Sequence, residues 1–303
     1  MISRIIIPLD GSLLAEQVLP YVKILGQSTE ARIVLVRVVE PAPPDLAAVA
    51  EEGLLAPSVE RRWQQAHAYL EALAEKLRWE GLVAATEVLE GEPASSIVSV
   101  AEQRPGTLVA MCTHGRSGLG RWVLGSVTDK VLHATTNPLL IARARTPEGT
   151  PPEVKITSLV VPLDGSALAE QVLPLAADLA RKLGVQLALL QATPTIGDYY
   201  QYAEGPPPDI MEDLARDADE AAAAYLDSTA NRLRLEGVPE VEPVLVHGPP
   251  ALAITDYVHE NPHCLVAITT HGRSGIGRWV VGSVADRVIR GSGAPVLVVR
   301  GQE

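Results

Sequence analysis

The sequence predicts an α/β protein of two tandem modules, each an open, five-stranded, mostly parallel sheet flanked by helices. Three observations carry this reading. Short apolar runs alternate with longer stretches whose apolar residues recur at helical spacing, the pattern of strand–helix–strand units. A string reading PLDGS then LAEQVLP occurs at Pro8–Pro20 and again at Pro162–Pro174. A second string, THGRSG followed by GRWV and GSV, occurs at Thr113–Val127 and at Thr270–Val284. The offset between copies is 154 residues at Asp10/Asp164 and 157 at Gly125/Gly282, so a whole module is duplicated with insertions confined to short loops.

The elements of the first copy follow in order. Arg4–Leu9 (RIIIPL) reads as a buried strand, and Asp10-Gly11-Ser12 as a turn into a helix from Leu13 to Leu25. Arg32–Val39 is the second strand, and the Pro/Ala-rich stretch 41–57 is a loop before a helix over Ser58–Trp79. In that helix Trp63, Ala66, Leu70, Leu73 and Leu77 form one apolar stripe. A strand near Thr86–Leu89 leads to Glu92-Pro93, which opens a helix to Gln103 because Pro fits the first helical turn. Leu108–Met111 is the fourth strand. After the glycine-rich string come a helix over Ser126–His133 and a last strand, Pro138–Ala142. The second copy places its strands at Ser158–Leu163, Gln186–Gln191, Glu242–Val246, Leu265–Ile268 and Pro295–Val299. The modules are expected at 1–145 and 156–303, joined by a linker over 146–155 that contains TPEGTPPE.

Composition narrows the function. The chain has 303 residues, 47% of them hydrophobic, enough for two ordinary cores. Its longest apolar runs fall well short of the ~20 residues that span a bilayer, and the chain opens on a strand, so a cytoplasmic protein with no membrane partner is expected. The net charge of −12 divides as −3 over residues 1–150 (14 basic, 17 acidic) and −9 over the rest (11 basic, 20 acidic). Nucleic acid is an unsuitable partner for either half, because its binding draws on clustered cations. The two cysteines, Cys112 and Cys264, stand in non-equivalent places with no metal-ligand spacing, so neither a disulfide nor a zinc site is expected.

In open parallel sheets ligands gather beyond the carboxyl ends of the strands. Asp10 and the loop beginning at Gly115 both fall there. Gly115, nine residues, then Gly125-Ser126 recurs as Gly272, nine residues, then Gly282-Ser283. Glycine lets backbone amides approach a phosphate, and a Gly-Ser helix start offers free N–H groups, a hydroxyl and the positive end of the helix dipole. The competing reading is structural. Ser126 with Asp129, and Ser283 with Asp286, resemble an N-cap with an acid three residues on, worth about 1 kcal/mol of stability. Capping alone leaves the glycine-rich loop unexplained. Asp10 likewise either belongs to a pocket or merely turns the chain and caps the next helix.

This pattern resembles the universal stress protein family in its tandem form, over nearly the whole chain. The resemblance rests on the G-x2-G-x9-G-[ST] signature of the ATP-binding branch, an Asp closing the first strand, and PVLVV at Pro295–Val299. It departs at the first glycine of the signature, which is Cys112 in one copy and Thr269 in the other. The resemblance implies a Rossmann-like, adenine nucleotide alpha hydrolase-like fold that binds ATP, with Mg²⁺ as its possible companion. Carried over by position, Asp10, Val38, Cys112, Gly115, Gly125, Ser126 and Val127 would meet the nucleotide in the first module. Asp164, Ala192, Thr269, Gly272, Gly282, Ser283 and Val284 are their counterparts in the second. Val38 also fits a core position. Arg116 and Arg273 either reach phosphate oxygens or lie in solvent. His114 and His271 read as loop-orienting, and Tyr199, Tyr200 and Tyr202 either cover an adenine or pack on the neighbouring module. The family's dimerisation through final strands implies that Pro138–Ala142 and Pro295–Val299 pair the modules, with a homodimer of whole chains as a further expectation.

No Walker lysine motif, GxGxxG after the first strand, nucleophile elbow or SGGxDS loop is present. The leading expectation is a nucleotide-binding regulatory protein in the stress response. The alternatives are a slow ATPase, using Mg²⁺ and Asp10 or Asp164 as base, and an interaction module that binds no nucleotide.

Overall fold

The computed structural model describes residues 1–41, 56–113, 124–143, 154–199, 208–270 and 281–302. The described residues form two compact units, 1–143 and 154–302. Each is an open parallel sheet of five strands with helices packed on it.

In the first unit the strands are β1 (Arg4–Pro8), β2 (Arg32–Val39), β3 (Ala84–Glu90), β4 (Thr107–Thr113) and β5 (Leu139–Arg143). Their order in space is β3-β2-β1-β4-β5, every neighbouring pair parallel. The connection reverses between β1 and β4, where the chain leaves β1 towards β2 on one side and returns through β4 on the other. The apolar runs do not alternate because the sheet is covered on both faces: Ile5, Ile6 and Ile7 are all buried, as are Leu108, Val109 and Ala110.

The helices are α1 (Leu19–Thr29), α2 (Ala56–Trp79), α3 (Pro93–Glu102) and α4 (Ser126–Ala134). The sequence expected one helix from Leu13 to Leu25. Instead a 3₁₀ turn over Ala15–Val18 leads into α1, which starts beside Pro20 and ends at Glu30, held at φ 56°. Proline in the first turn fixes that start. In α2 the anticipated stripe is buried at Ala66, Leu70, Leu73 and Leu77.

The second unit repeats the plan. Strands β6 (Ser158–Pro162), β7 (Gln186–Thr193), β8 (Val241–His247), β9 (Cys264–Thr270) and β10 (Val296–Arg300) lie in the order β8-β7-β6-β9-β10, again parallel. Its helices are α5 (Leu173–Leu183), the short α6 (Ile196–Tyr199), α7 (Pro208–Leu235), α8 (Pro250–Glu260) and α9 (Ser283–Gly291), with a 3₁₀ turn over Ala169–Val172 before α5. Cys264, expected just before a strand, is the first residue of β9.

Two pairs of equivalent left-handed residues set a side chain against glycine: Glu30 with Gly184, and Gly106 with His263. Gly106 precedes β4 at φ 71°, and its carbonyl accepts from the amides of Ser3 and Arg4 at 2.9 and 3.2 Å. In the second unit His263 stands there at the same φ of 71°, its carbonyl accepting from Thr157 at 3.0 Å. A side chain has taken a conformation that glycine adopts without cost.

Candidate functional site

At the carboxyl edge of the first sheet, beside the point where the connection reverses, lies a cavity of about 170 Å³. Its walls are Pro8 at the end of β1, Leu9 and Asp10 after it, Ala15 of the 3₁₀ turn, Val36 and Val38 of β2, Pro93 and Ile97 of α3, Met111 and Cys112 of β4, and Gly125–Thr128 where α4 begins. Six residues named from the sequence therefore meet around one space: Asp10, Val38, Cys112, Gly125, Ser126 and Val127. Gly115, Arg116 and His114 fall outside the described residues, as do Gly272, Arg273, His271, Tyr200 and Tyr202.

Ala15, Pro93, Ile97, Met111 and Thr128 were not anticipated. Their signal was topological: Pro93 and Ile97 are one helical turn apart on α3, and Met111 precedes the signature position on β4. Only the sheet order brings them to the same edge.

The Asp-Gly-Ser turn does local work in both modules. Asp10 Oδ1 accepts from the Ser12 amide at 2.9 Å, and Ser12 Oγ from the Ala15 amide at 3.1 Å. Asp164, Ser166 and Ala169 repeat this at 2.9 and 3.1 Å. The turning role expected of Asp10 is thus present, and the same residue forms the polar lip of the cavity. Gly11 sits at φ 85°, and a Cβ there would lie 2.7 Å from Arg37 Nη1. Arg37 lies over the Tyr69 ring, whose hydroxyl donates to Glu16 Oε1 at 2.9 Å. Burial, with that carboxylate beside it, raises the Tyr69 phenol and keeps it neutral.

The helix start corrects the capping expectation. Ser126 and Ser283 are the first helical residues, and the caps are Gly125 (ψ 147°) and Gly282 (ψ 147°), with no side-chain cap bond at either. Each glycine carbonyl takes the amide three residues into its helix, Asp129 at 2.9 Å and Asp286 at 2.8 Å. The amides of the first turn, Ser126–Thr128, have no acceptor within an α-helix, and they point towards the cavity end of the dipole. The side-chain cap is found instead on α3, where Glu92 accepts from the Ser95 amide and from Lys130 Nζ, both at 2.8 Å. The Lys130 and Ser95 bonds hold the Glu92 carboxyl down to about 2, and the ion pair links α3 to α4 beside the cavity.

Two internal bonds tie the ends of β4 and β9 to neighbouring elements. In the first module the Thr128 hydroxyl donates to the Cys112 carbonyl at 3.3 Å, tying α4 to the end of β4. In the second, the Thr269 hydroxyl donates to the Ala169 carbonyl at 3.2 Å, tying the end of β9 to the 3₁₀ turn. The Cys112 thiol is pushed up to about 12 by burial, so it contributes a neutral, small apolar wall. Among the described residues no three His, Cys, Asp or Glu side chains cluster to hold a metal ion, and no helix is long and apolar enough to cross a membrane.

Fold and site together define a tandem α/β protein of Rossmann-like modules with a pocket at the sheet's switch point. The sequence profile described as the Universal stress protein family matches residues 1–143 and again 155–300. The chain belongs to the universal stress protein family, in its tandem form. A universal stress protein of Mycobacterium bovis is 24% identical over 314 aligned residues, covering 98% of this chain and 94% of its own. One from Methanocaldococcus jannaschii is 31% identical over 142 residues, covering 46% of this chain and 82% of its own. The crystal structure of a universal stress protein from Archaeoglobus fulgidus aligns over 98% of both chains at 21% identity, with a TM-score of 0.74, a likeness of fold.

Proposed function

We propose that each module, over 1–145 and 156–303, binds an adenine nucleotide, and that occupancy sets the state of a cytoplasmic regulatory protein of the stress response. The observation that supports this most is the first-module cavity. Val36, Val38, Ile97 and Met111 give it the apolar lining that suits an adenine ring. It opens between a carboxylate at Asp10, placed to accept from ribose hydroxyls, and the uncapped amides of Ser126–Thr128, placed to receive phosphate. The residues present thus fit ATP. Gly115 and Gly272, with Arg116 and Arg273, would complete the phosphate loop. Mg²⁺ would arrive on the phosphates, since the chain offers no ligand cluster of its own among the described residues.

In this reading ATP is chiefly a ligand. Asp10 is engaged by Ser12 in a turn, an arrangement that suits holding better than proton abstraction. The modules pair through their final strands, and whole chains form dimers; sedimentation showing monomer alone at every concentration would contradict the second statement.

The test is isothermal titration with ATP and native mass spectrometry of protein purified without added nucleotide. Two nucleotides per chain are expected, with Gly115→Val and Gly272→Val each removing one because the new side chain enters phosphate space. No heat with millimolar ATP, with or without Mg²⁺, would end the proposal.

A further inference from the structure

We propose that the two nucleotide sites are unequal: the first module's is preformed and fills first, and the second is held by a latch, Thr269 to Ala169, that an entering ligand must open. This rests on the nucleotide reading above and assigns to Thr269 the setting of the second site's affinity.

The two modules use different anchors at the same place. Cys112 and Ala15 both line the first cavity. Their counterparts in the second module, Thr269 and Ala169, are joined by a hydrogen bond of 3.2 Å. A thiol is a weak donor, so Cys112 is poorly suited to make that tie. The hydroxyl in the first module sits instead on Thr128, where it fastens the phosphate-side helix from behind, at the Cys112 carbonyl. Ala285 holds the equivalent position in α9 and has no hydroxyl to do so. The first module is therefore tied behind α4, and the second is tied between the counterparts of two residues that line the first cavity.

The latch has a backing of its own. Gly301 runs so close behind Thr269 that a Cβ there would lie 2.9 Å from Thr269 Cγ2 and would overlap Leu168. The Gly301 amide donates to the Thr270 carbonyl at 2.9 Å. The next residue is clipped to the 3₁₀ turn that carries Ala169: the Gln302 amide donates to Gln171 Oε1 at 2.7 Å, and Gln171 Nε2 to the Gln302 carbonyl at 2.6 Å. With the chain at Gly301 running close behind it and its hydroxyl bonded to Ala169, Thr269 is held on two sides. A ligand that displaces it forfeits one part-buried hydrogen bond, which lowers affinity by about tenfold.

The intact chain is titrated calorimetrically with ATP. Two steps about tenfold apart are expected, the tighter one disappearing in Gly115→Val. Thr269→Val, which deletes the hydroxyl and keeps the methyl, should strengthen the weaker step by about tenfold and leave the tighter one unchanged. The reciprocal Cys112→Thr, which places the donor opposite Ala15, should weaken the tighter step and needs no change in the second module. Two equal steps in the wild type, or loss of the weaker step in Gly115→Val, would overturn the inequality while leaving nucleotide binding intact. A folded Thr269→Val with both steps unmoved would overturn the latch. Absence of any heat in the wild type would overturn the nucleotide reading and this inference with it.

Discussion

The Arg37 guanidinium stands 5.3 Å from the centre of the Tyr69 ring, and its tip fills the space beside Gly11 that a side chain would need. In the second module Gln191 replaces Arg37, and among the described residues nothing lies within 4 Å of the Cβ position of Gly165, although Gly165 has nearly the same φ of 81°. The two turns share a backbone and differ in what surrounds them.

That difference predicts unequal costs for the same substitution. Gly165→Ala meets only the strain of a left-handed alanine, about 1–2 kcal/mol. Gly11→Ala meets that strain and also displaces Arg37 from Tyr69, a further ~0.5–1 kcal/mol. Urea denaturation of the two variants should show Gly11→Ala the less stable, and equal midpoints would contradict the packing argument.

Ser126→Ala should separate binding from stability. Ser126 caps nothing, so its removal should alter stability by less than ~0.5 kcal/mol while weakening ATP at the first site. Glu92→Ala removes a side-chain cap together with the Lys130 pair and should lower the melting temperature more than Ser126→Ala does. Paired thermal melts decide this: a larger loss for Ser126→Ala would restore serine as the cap.

Acid stability should respond to Asp219. Hydrogen bonds from Thr193 Oγ1 at 2.6 Å and with His247 Nε2 at 3.0 Å hold its carboxyl below the usual aspartate value. A depressed folded value means the contribution is present above the unfolded value of about 4 and is lost as pH falls through the folded one. Asp219→Asn should therefore flatten the stability profile below about pH 4 and change its slope little above pH 6. An unchanged acid limb would mean that the cluster adds nothing.

Both thiols should be silent in the native protein. Burial pushes Cys112 up to about 12 and Cys264 up to about 11, so neither is a thiolate at pH 8. A chromogenic disulfide reagent should label neither quickly, and both in denaturant. Added ATP should slow the residual labelling of Cys112, which lines the cavity, and leave Cys264 unaffected. Equal protection of both would point to global stabilisation instead of occupancy.

Much of the fold was readable because buried parallel strands are written as continuous apolar runs, and the duplication checks each assignment against its copy. The position of the site was readable for a related reason: Asp10 and the Gly125-Ser126 pair lie at strand and helix ends, where a parallel sheet gathers its loops. What could not be read were contacts decided by which faces meet. Ser126 was expected at a cap because its distance from Asp129 is right, yet the helix begins one residue earlier than that pattern implies, with Gly125 as its cap. Whether Gly125 or Ser126 is the last extended residue depends on how α4 docks, which the Thr128–Cys112 bond fixes from outside the motif. Arg37 and Tyr69 lie 32 positions apart, and Thr269 and Ala169 lie 100 apart; no local spacing announces either pair.

The histidine before β9 has a use for protein engineering. Evolution has left an imidazole-bearing residue at a bend that its twin builds from glycine. Replacing His263 by glycine would relax that bend by about 1–2 kcal/mol, less the ~0.5–1 kcal/mol that a more supple denatured chain takes back. The second half of this protein thus carries a small unclaimed reserve of thermal robustness, open to a single codon change and remote from the pocket.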